Sequence, residues 1–155
     1  MSVLLYATSA WAQIITVKIV DGTNAPFDTY GTRNNSATPN TLTTNATSGL
    51  AGVVLSAPVI DRATWWNTYC LALRPSATQT AEKVTITAPE GYLLMSVDMT
   101  AQANSDNYPY DVVFNGSTTN VGGASAKTFS KNNIFAPSFS FTIKHTEASF
   151  DATNK

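Results

Sequence analysis

The residues with the most to offer chemically lie between Asp61 and Tyr69, where Trp65-Trp66-Asn67-Thr68-Tyr69 follows Asp61-Arg62. Adjacent residues of an extended segment point to opposite sides. One indole can then anchor a core while the other stays at the surface. An exposed indole is a flat apolar face that stacks on the C–H face of a pyranose, and Arg62 and Asn67 are of the type that hydrogen-bonds sugar hydroxyls. Trp65, Trp66 and Tyr69 are therefore candidate stacking residues, with Arg62 and Asn67 as polar partners. The competing reading is that both rings are core or rim packing, the commoner fate of large aromatics. Tyr108-Pro109-Tyr110 is a second aromatic pair, suited to lining a loop-end cleft or to covering a sheet edge.

Catalytic chemistry finds less support. The chain has one histidine, His145, and one cysteine, Cys70. A nucleophile–base–acid arrangement would have to use that histidine with Cys70 or a serine, and no G-x-S-x-G elbow is present. Placed at a strand end, His145 is expected to be an exposed polar residue. Most aspartates (Asp21, Asp28, Asp61, Asp106, Asp111) lie in or beside turns, where the side chain caps the turn. Asp98, on the polar side of a strand, lacks that explanation. Nothing pairs two carboxylates as a glycosidase requires, and neither zinc-ligand spacing nor a D-x-D-x-D-G calcium loop occurs. No catalytic residue, no metal ligand and no cofactor is assigned, although loop oxygens of Asp and Asn leave room for calcium.

Composition narrows the partners. Nine Lys+Arg against ten Asp+Glu leave a net charge of -1, and charged residues make up only 12% of 155, about half the usual share. A nucleic-acid partner needs a basic surface, and a polybasic membrane-surface protein needs the same. Thr, Ser and Asn supply roughly a third of the chain in place of charge, a composition that suits exposed strands and turns. The 43% hydrophobic content is enough for a core. No stretch approaches the ~18–20 apolar residues of a membrane helix.

The amino end reads as a targeting segment. Val3–Ala7 is a short apolar run, and Ala10-Trp11-Ala12 fits the small-x-small pattern of signal peptidase, so residues 1–12 are expected to be a signal-peptide remnant and Gln13 the mature terminus. A basic first region is missing, which suggests a fragment of a longer leader or a misplaced start. The alternative is an ordinary amino-terminal strand. A secreted domain is expected over 13–155, extracellular, cell-surface or periplasmic. A lone cysteine excludes an internal disulfide framework and favours a bacterial source. The end at Phe150–Lys155 has no stop feature, so the natural polypeptide is expected to continue into downstream domains.

Periodicity predicts the elements that must position these residues. Strands are expected over Ile14–Val20, Gly52–Val59, Thr68–Leu73, Lys83–Thr87, Tyr92–Ala101, Tyr110–Phe114, Ala126–Ser130 and Phe139–Lys144. One or two short edge strands are expected around Phe27–Tyr30 and Thr41–Thr44, within a stretch too long for bare loop. Strict alternation over Tyr92–Ala101 would place Leu93, Met95, Val97 and Met99 on one apolar face, opposite Leu94, Ser96, Asp98 and Thr100, with Met95 and Met99 in the core. Asn115-Gly116 is a strong hairpin turn. About seven to nine short strands with no amphipathic helix predict an all-β fold, an antiparallel β-sandwich of Ig-like or jelly-roll-like type.

Several pieces together carry a resemblance. They are Ala-Trp-Ala-Gln13 leading into a strand that ends at Asp21-Gly22, the Trp65-Trp66 segment before a strand, Thr87-Ala-Pro-Glu-Gly-Tyr-Leu93, and Ile134-Phe-Ala-Pro-Ser-Phe-Ser-Phe-Thr-Ile143. The chain resembles the amino-terminal β-sandwich modules of secreted multidomain Bacteroidetes proteins, among them sialidase-like and other glycan-active enzymes. The resemblance implies a non-catalytic accessory module on the outside of the cell, with any catalytic domain downstream. A sialidase's arginine cluster and Asp-box repeats are absent, so no catalytic residue carries over. The leading expectation is a module that binds carbohydrate or positions a glycan-active neighbour. The alternative is a structural or adhesive surface subunit, of fimbrial or surface-layer type, assembling through strand edges.

Overall fold

A computed structural model describes residues 1–7, 14–19, 29–65, 68–74, 80–102, 109–122 and 125–146. These residues form thirteen strands, with a 3-10 turn at Ala46–Ser48. In chain order the strands are β1 (Ser2–Ala7), β2 (Ile14–Lys18), β3 (Gly31–Asn34), β4 (Asn40–Thr44), β5 (Val54–Ala57), β6 (Val59–Trp65) and β7 (Thr68–Arg74). They continue with β8 (Glu82–Thr87), β9 (Tyr92–Ala101), β10 (Tyr110–Phe114), β11 (Ser117–Val121), β12 (Lys127–Lys131) and β13 (Ser138–His145). A four-stranded sheet runs β12-β9-β1-β2 and a seven-stranded sheet runs β11-β10-β13-β8-β5-β4-β3, while β6 and β7 pair only with each other. Every strand pairing described is antiparallel.

The two larger sheets are the layers of an antiparallel β-sandwich. Val3, Val17, Leu94, Val97 and Phe129 of the smaller sheet share one buried cluster with Leu42, Leu55, Val84, Ile86, Val112, Phe114, Phe141 and Ile143 of the larger. Alternation along each strand puts these residues inward, as face-to-face sheets require. The Phe114 ring ties the layers together: it meets Phe129 of β12 at 5.6 Å between centroids and Phe139 and Phe141 of β13 at 5.0 and 5.7 Å.

Several sequence expectations shift. Leu94 and Val97 are both fully buried although two residues stand between them, a spacing that strict alternation sends to opposite faces. The register of β1 on β9 jumps from Leu4↔Ser96 to Leu5↔Leu94, leaving Met95 as the extra residue of a bulge. A bulge reverses which residues face inward. Tyr92 and Leu94 point to the core on one side of it, and Val97, Met99 and Ala101 on the other. Met95 is therefore half-buried at the bulge and does not belong to the core.

The Gly52–Val59 strand is in fact β5 followed, after Pro58, by the start of β6. The edge strand expected at Phe27–Tyr30 is β3 at Gly31–Asn34, while β4 falls where expected. Phe27 and Asp28 lie outside the described residues. His145 is the last residue of β13, opposite Tyr110, and is only 7% exposed. It follows Phe141 and Ile143 on the inward row, so it is a buried residue and not the exposed one expected.

The Val3–Ala7 run is part of β1, which pairs with β2 on one side and β9 on the other, with Val3 fully buried. The N–H of Ile19 also donates to the Met1 carbonyl at 3.1 Å. A chain cut after Ala12 would have to fold without this strand.

Buried polar groups close the β4–β5 connection. Thr44 Oγ1 donates to the Leu50 carbonyl at 2.7 Å and accepts from the Val53 N–H at 3.0 Å. Ser48 Oγ donates to the Asn45 carbonyl at 2.6 Å. Asn45 caps the 3-10 turn by accepting from the Thr47 N–H. Gly49 follows at φ 104, where an added β-carbon would run into the Thr16 carbonyl oxygen of β2. No side chain fits there, so the turn locks against the other sheet.

Candidate functional site

Two of the candidate sugar-stacking residues, Trp65 and Tyr69, and the polar candidate Arg62 lie on the β6–β7 ribbon. Its strands pair from Val59↔Arg74 at the base to Trp65↔Thr68 at the far end, with Arg62↔Leu71 and Thr64↔Tyr69 between. Trp65 therefore closes one strand of the ribbon shortly before the next begins at Thr68. Periodicity missed β6 because polar and apolar residues mix on both of its rows. Trp66 and Asn67 lie outside the described residues.

Directly opposed residues share a face of a ribbon, and successive residues alternate. By register, Arg62 and Tyr69 belong to the row of Ile60 and Leu73, one of two rows. They are diagonal neighbours, a relation that spans about 7–8 Å in antiparallel pairs. Trp65 belongs to the other row with Thr68. The ribbon thus brings Arg62, Trp65 and Tyr69 onto one element but divides them between its two faces.

The base of the ribbon is clamped. Ile60 is fully buried and Leu73 packs on the core. Arg33 Nη1 of β3 donates to the Ile60 carbonyl at 3.0 Å, and Asn40 Oδ1 of β4 accepts from the Ile60 N–H at 3.2 Å. The amide nitrogen of Asn40 meanwhile donates to the Asn35 and Ala37 carbonyls. One side chain therefore buckles both the β3–β4 loop and the ribbon to the edge of the larger sheet.

The structure adds an aromatic residue that sequence reading passed over. Phe135 is 55% exposed and sits at φ 48, two residues after Asn133 at φ 58. A bulky residue in the left-handed region is uncommon. It is held there because the chain crosses between sheets: Ile134 donates to the Met95 carbonyl, Ala136 bridges Leu94, and the Pro137 carbonyl accepts from Ala88. The crossing presents an apolar ring beside the exposed Asn132 and Asn133. The run Asn-Asn-Ile-Phe-Ala-Pro carries turn residues on both sides of the ring, which was the available signal.

Tyr110 has a packing role. It lies against the core, its hydroxyl donates to the Gln102 carbonyl at 3.3 Å, and burial pushes its pKa from 10.0 up to about 12. Tyr108 lies outside the described residues. Asp98 is exposed on β9, and Asp111, instead of capping a turn, accepts from Asn120 Nδ2 across β10–β11 at 3.0 Å. Among the described residues no three His, Cys, Asp or Glu side chains are grouped to hold a metal, and no helix is long and apolar enough to cross a membrane. In comparisons with known proteins, no family model, curated protein or solved structure matches the chain.

Proposed function

We propose that this β-sandwich is a non-catalytic secreted accessory module that binds carbohydrate, or positions a glycan-active neighbour, with the β6–β7 ribbon as its ligand-facing element. The observation that supports this reading is the register that collects Arg62, Trp65 and Tyr69 on one ribbon clamped at its base by Arg33 and Asn40. Stacking by the indole supplies affinity, and the polar groups choose among hydroxyl patterns. Trp65 is the principal contact because its row is not the one that runs into the core at Ile60 and Leu73.

A glycan-array screen of the full chain tests the reading, followed by calorimetry on the sugar class that responds. Trp65→Ala and Trp66→Ala should each weaken binding at least tenfold while melting like the parent. Binding unchanged in both removes the ribbon as the site, and a loss confined to Phe135→Ala moves it to the β12–β13 crossing. A blank array from folded protein removes carbohydrate binding. The secretion part of the proposal is tested by the intact mass of protein recovered outside the cell. A mass starting at Gln13 supports the leader, and a mass retaining Met1–Ala12 refutes it.

A further inference from the structure

The seven-stranded sheet ends on β11, and this edge differs from the other outer strands described. β3 carries Arg33, β12 carries Lys127 and Lys131, and β2 carries Lys18. Charges on edge strands are the usual guard against pairing with another chain. β11 reads Ser-Thr-Thr-Asn-Val, without charge or proline, and Gly116 and Gly122 flank it.

Its hydrogen-bonding groups can be assigned from the hairpin. Asn115 and Gly116 form a two-residue turn with φ 51 and 78, and Phe114 stands opposite Ser117. In such hairpins the pair flanking the turn exchanges both backbone bonds, and bonded pairs then alternate with unbonded ones. Ser117, Thr119 and Val121 therefore spend their backbone groups on β10. Thr118 and Asn120, both exposed, turn their N–H and C=O groups outward.

We infer that β11 is a self-association edge, joining two copies of this chain antiparallel about a two-fold axis at Thr119. In that register Thr118 of each copy lies opposite Asn120 of the other, and each such pair exchanges two backbone bonds, about four in all. Thr119 faces its own counterpart in an unbonded pair. No charge is brought against a like charge within the paired strands, whereas a symmetric pairing of β12 would bring its lysines together. The Asn120 side chain is already turned back to Asp111 of its own sheet, which leaves the edge clear. The ribbon is tied to β3 and β4 at the opposite end of the sheet, so pairing through β11 leaves both ribbons free. The association does not depend on what the ribbon binds. A contact of this size belongs with weak interfaces below ~1,200 Å².

Sedimentation from about 5 μM to 1 mM should show the average mass rising toward that of a dimer. Asn120→Pro removes an outward N–H, and with it the side-chain bond to Asp111, while leaving the backbone bonds of β10–β11 in place, and should raise the dissociation constant at least tenfold. If that variant does not fold, Thr118→Lys, which adds charge to the exposed row, should do the same. The register is read by cross-linking in a Cys70→Ser background. Unbonded partners stand about 4.5 Å apart at Cα, inside the ~4.4–6.8 Å range of a disulfide, so Thr119→Cys should form disulfide dimers at least ten times faster than Thr118→Cys. A monomer up to 1 mM overturns the inference. Equal cross-linking rates, or dimers indifferent to both edge substitutions, overturn it as well.

Discussion

Replacing Phe114 by alanine tests whether the two sheets are joined as described. The ring is 4% exposed and contacts Phe139 and Phe141 of its own layer and Phe129 of the other. Removing a buried phenylalanine costs about 3–5 kcal/mol, because lost transfer energy is joined by an unfilled cavity. A domain of this size holds about 5–15 kcal/mol in total, and each kcal/mol moves the melting point by about 2–4 °C. Phe114→Ala should therefore melt about 6–20 °C below the parent, with its urea midpoint lowered and the slope unchanged. The interlayer contact is isolated by a double-mutant cycle with Phe129→Ala. A ring pair contributes about 0.5–1.5 kcal/mol beyond area burial, so the double variant should lose less than the sum of the singles by about that amount. Additivity within ~0.3 kcal/mol, or a Phe114→Ala loss below ~1 kcal/mol, would show that the layers do not meet through these rings.

Other perturbations bear on different joints. In the unfolded chain Tyr110 loses its proton near pH 10, whereas the folded protein keeps it to about pH 12. Stability is therefore full below pH 10 and falls by about 2–3 kcal/mol as pH rises to 12; Tyr110→Phe should flatten that part of the denaturation-versus-pH curve, and an unchanged curve would exclude the burial. Asn40→Ala strips the Ile60 N–H and two loop carbonyls of their partner. It should cost about 1–3 kcal/mol by chemical denaturation and speed amide exchange at Ile60. Gly49→Ala and Gly116→Ala both put alanine at positive φ, 104 and 78, but only the first drives its β-carbon into the Thr16 carbonyl, whereas the second meets no atom within 4 Å. The first should lose at least about 2 kcal/mol more than the second in paired urea titrations.

Much of the fold was legible because its strands alternate in the ordinary way. β9 and β10 fall on the predicted residues, β8 differs by one residue at its start, and β12 and β13 differ by one residue at each end. Two strands, β6 and β11, escaped for identifiable reasons, and β1 stood only as the alternative reading of its segment. The short apolar stretch of β1 beside Ala10-Trp11-Ala12 resembles a leader as closely as it resembles a strand. β6 mixes polar and apolar residues on both rows, and β11 is polar along most of its length. An edge strand or ribbon need not bury a continuous face, so its sequence need not show one.

Class and chemical vocabulary follow from composition and periodicity alone. Low charge, abundant Thr, Ser and Asn, alternating short runs and turn residues lead to an antiparallel sandwich, and residue type alone picks out the aromatic cluster at 65–69. Placement depends on contacts between distant segments. Pairing through β10 put His145 in the interior, and the bulge at Met95 reversed the inward face of β9. Register divided Trp65 from Arg62 and Tyr69, and the crossing between sheets exposed Phe135. Each of these depends on which strand lies beside which, and hydrogen-bond pairing between distant segments leaves no mark in the periodicity of either one.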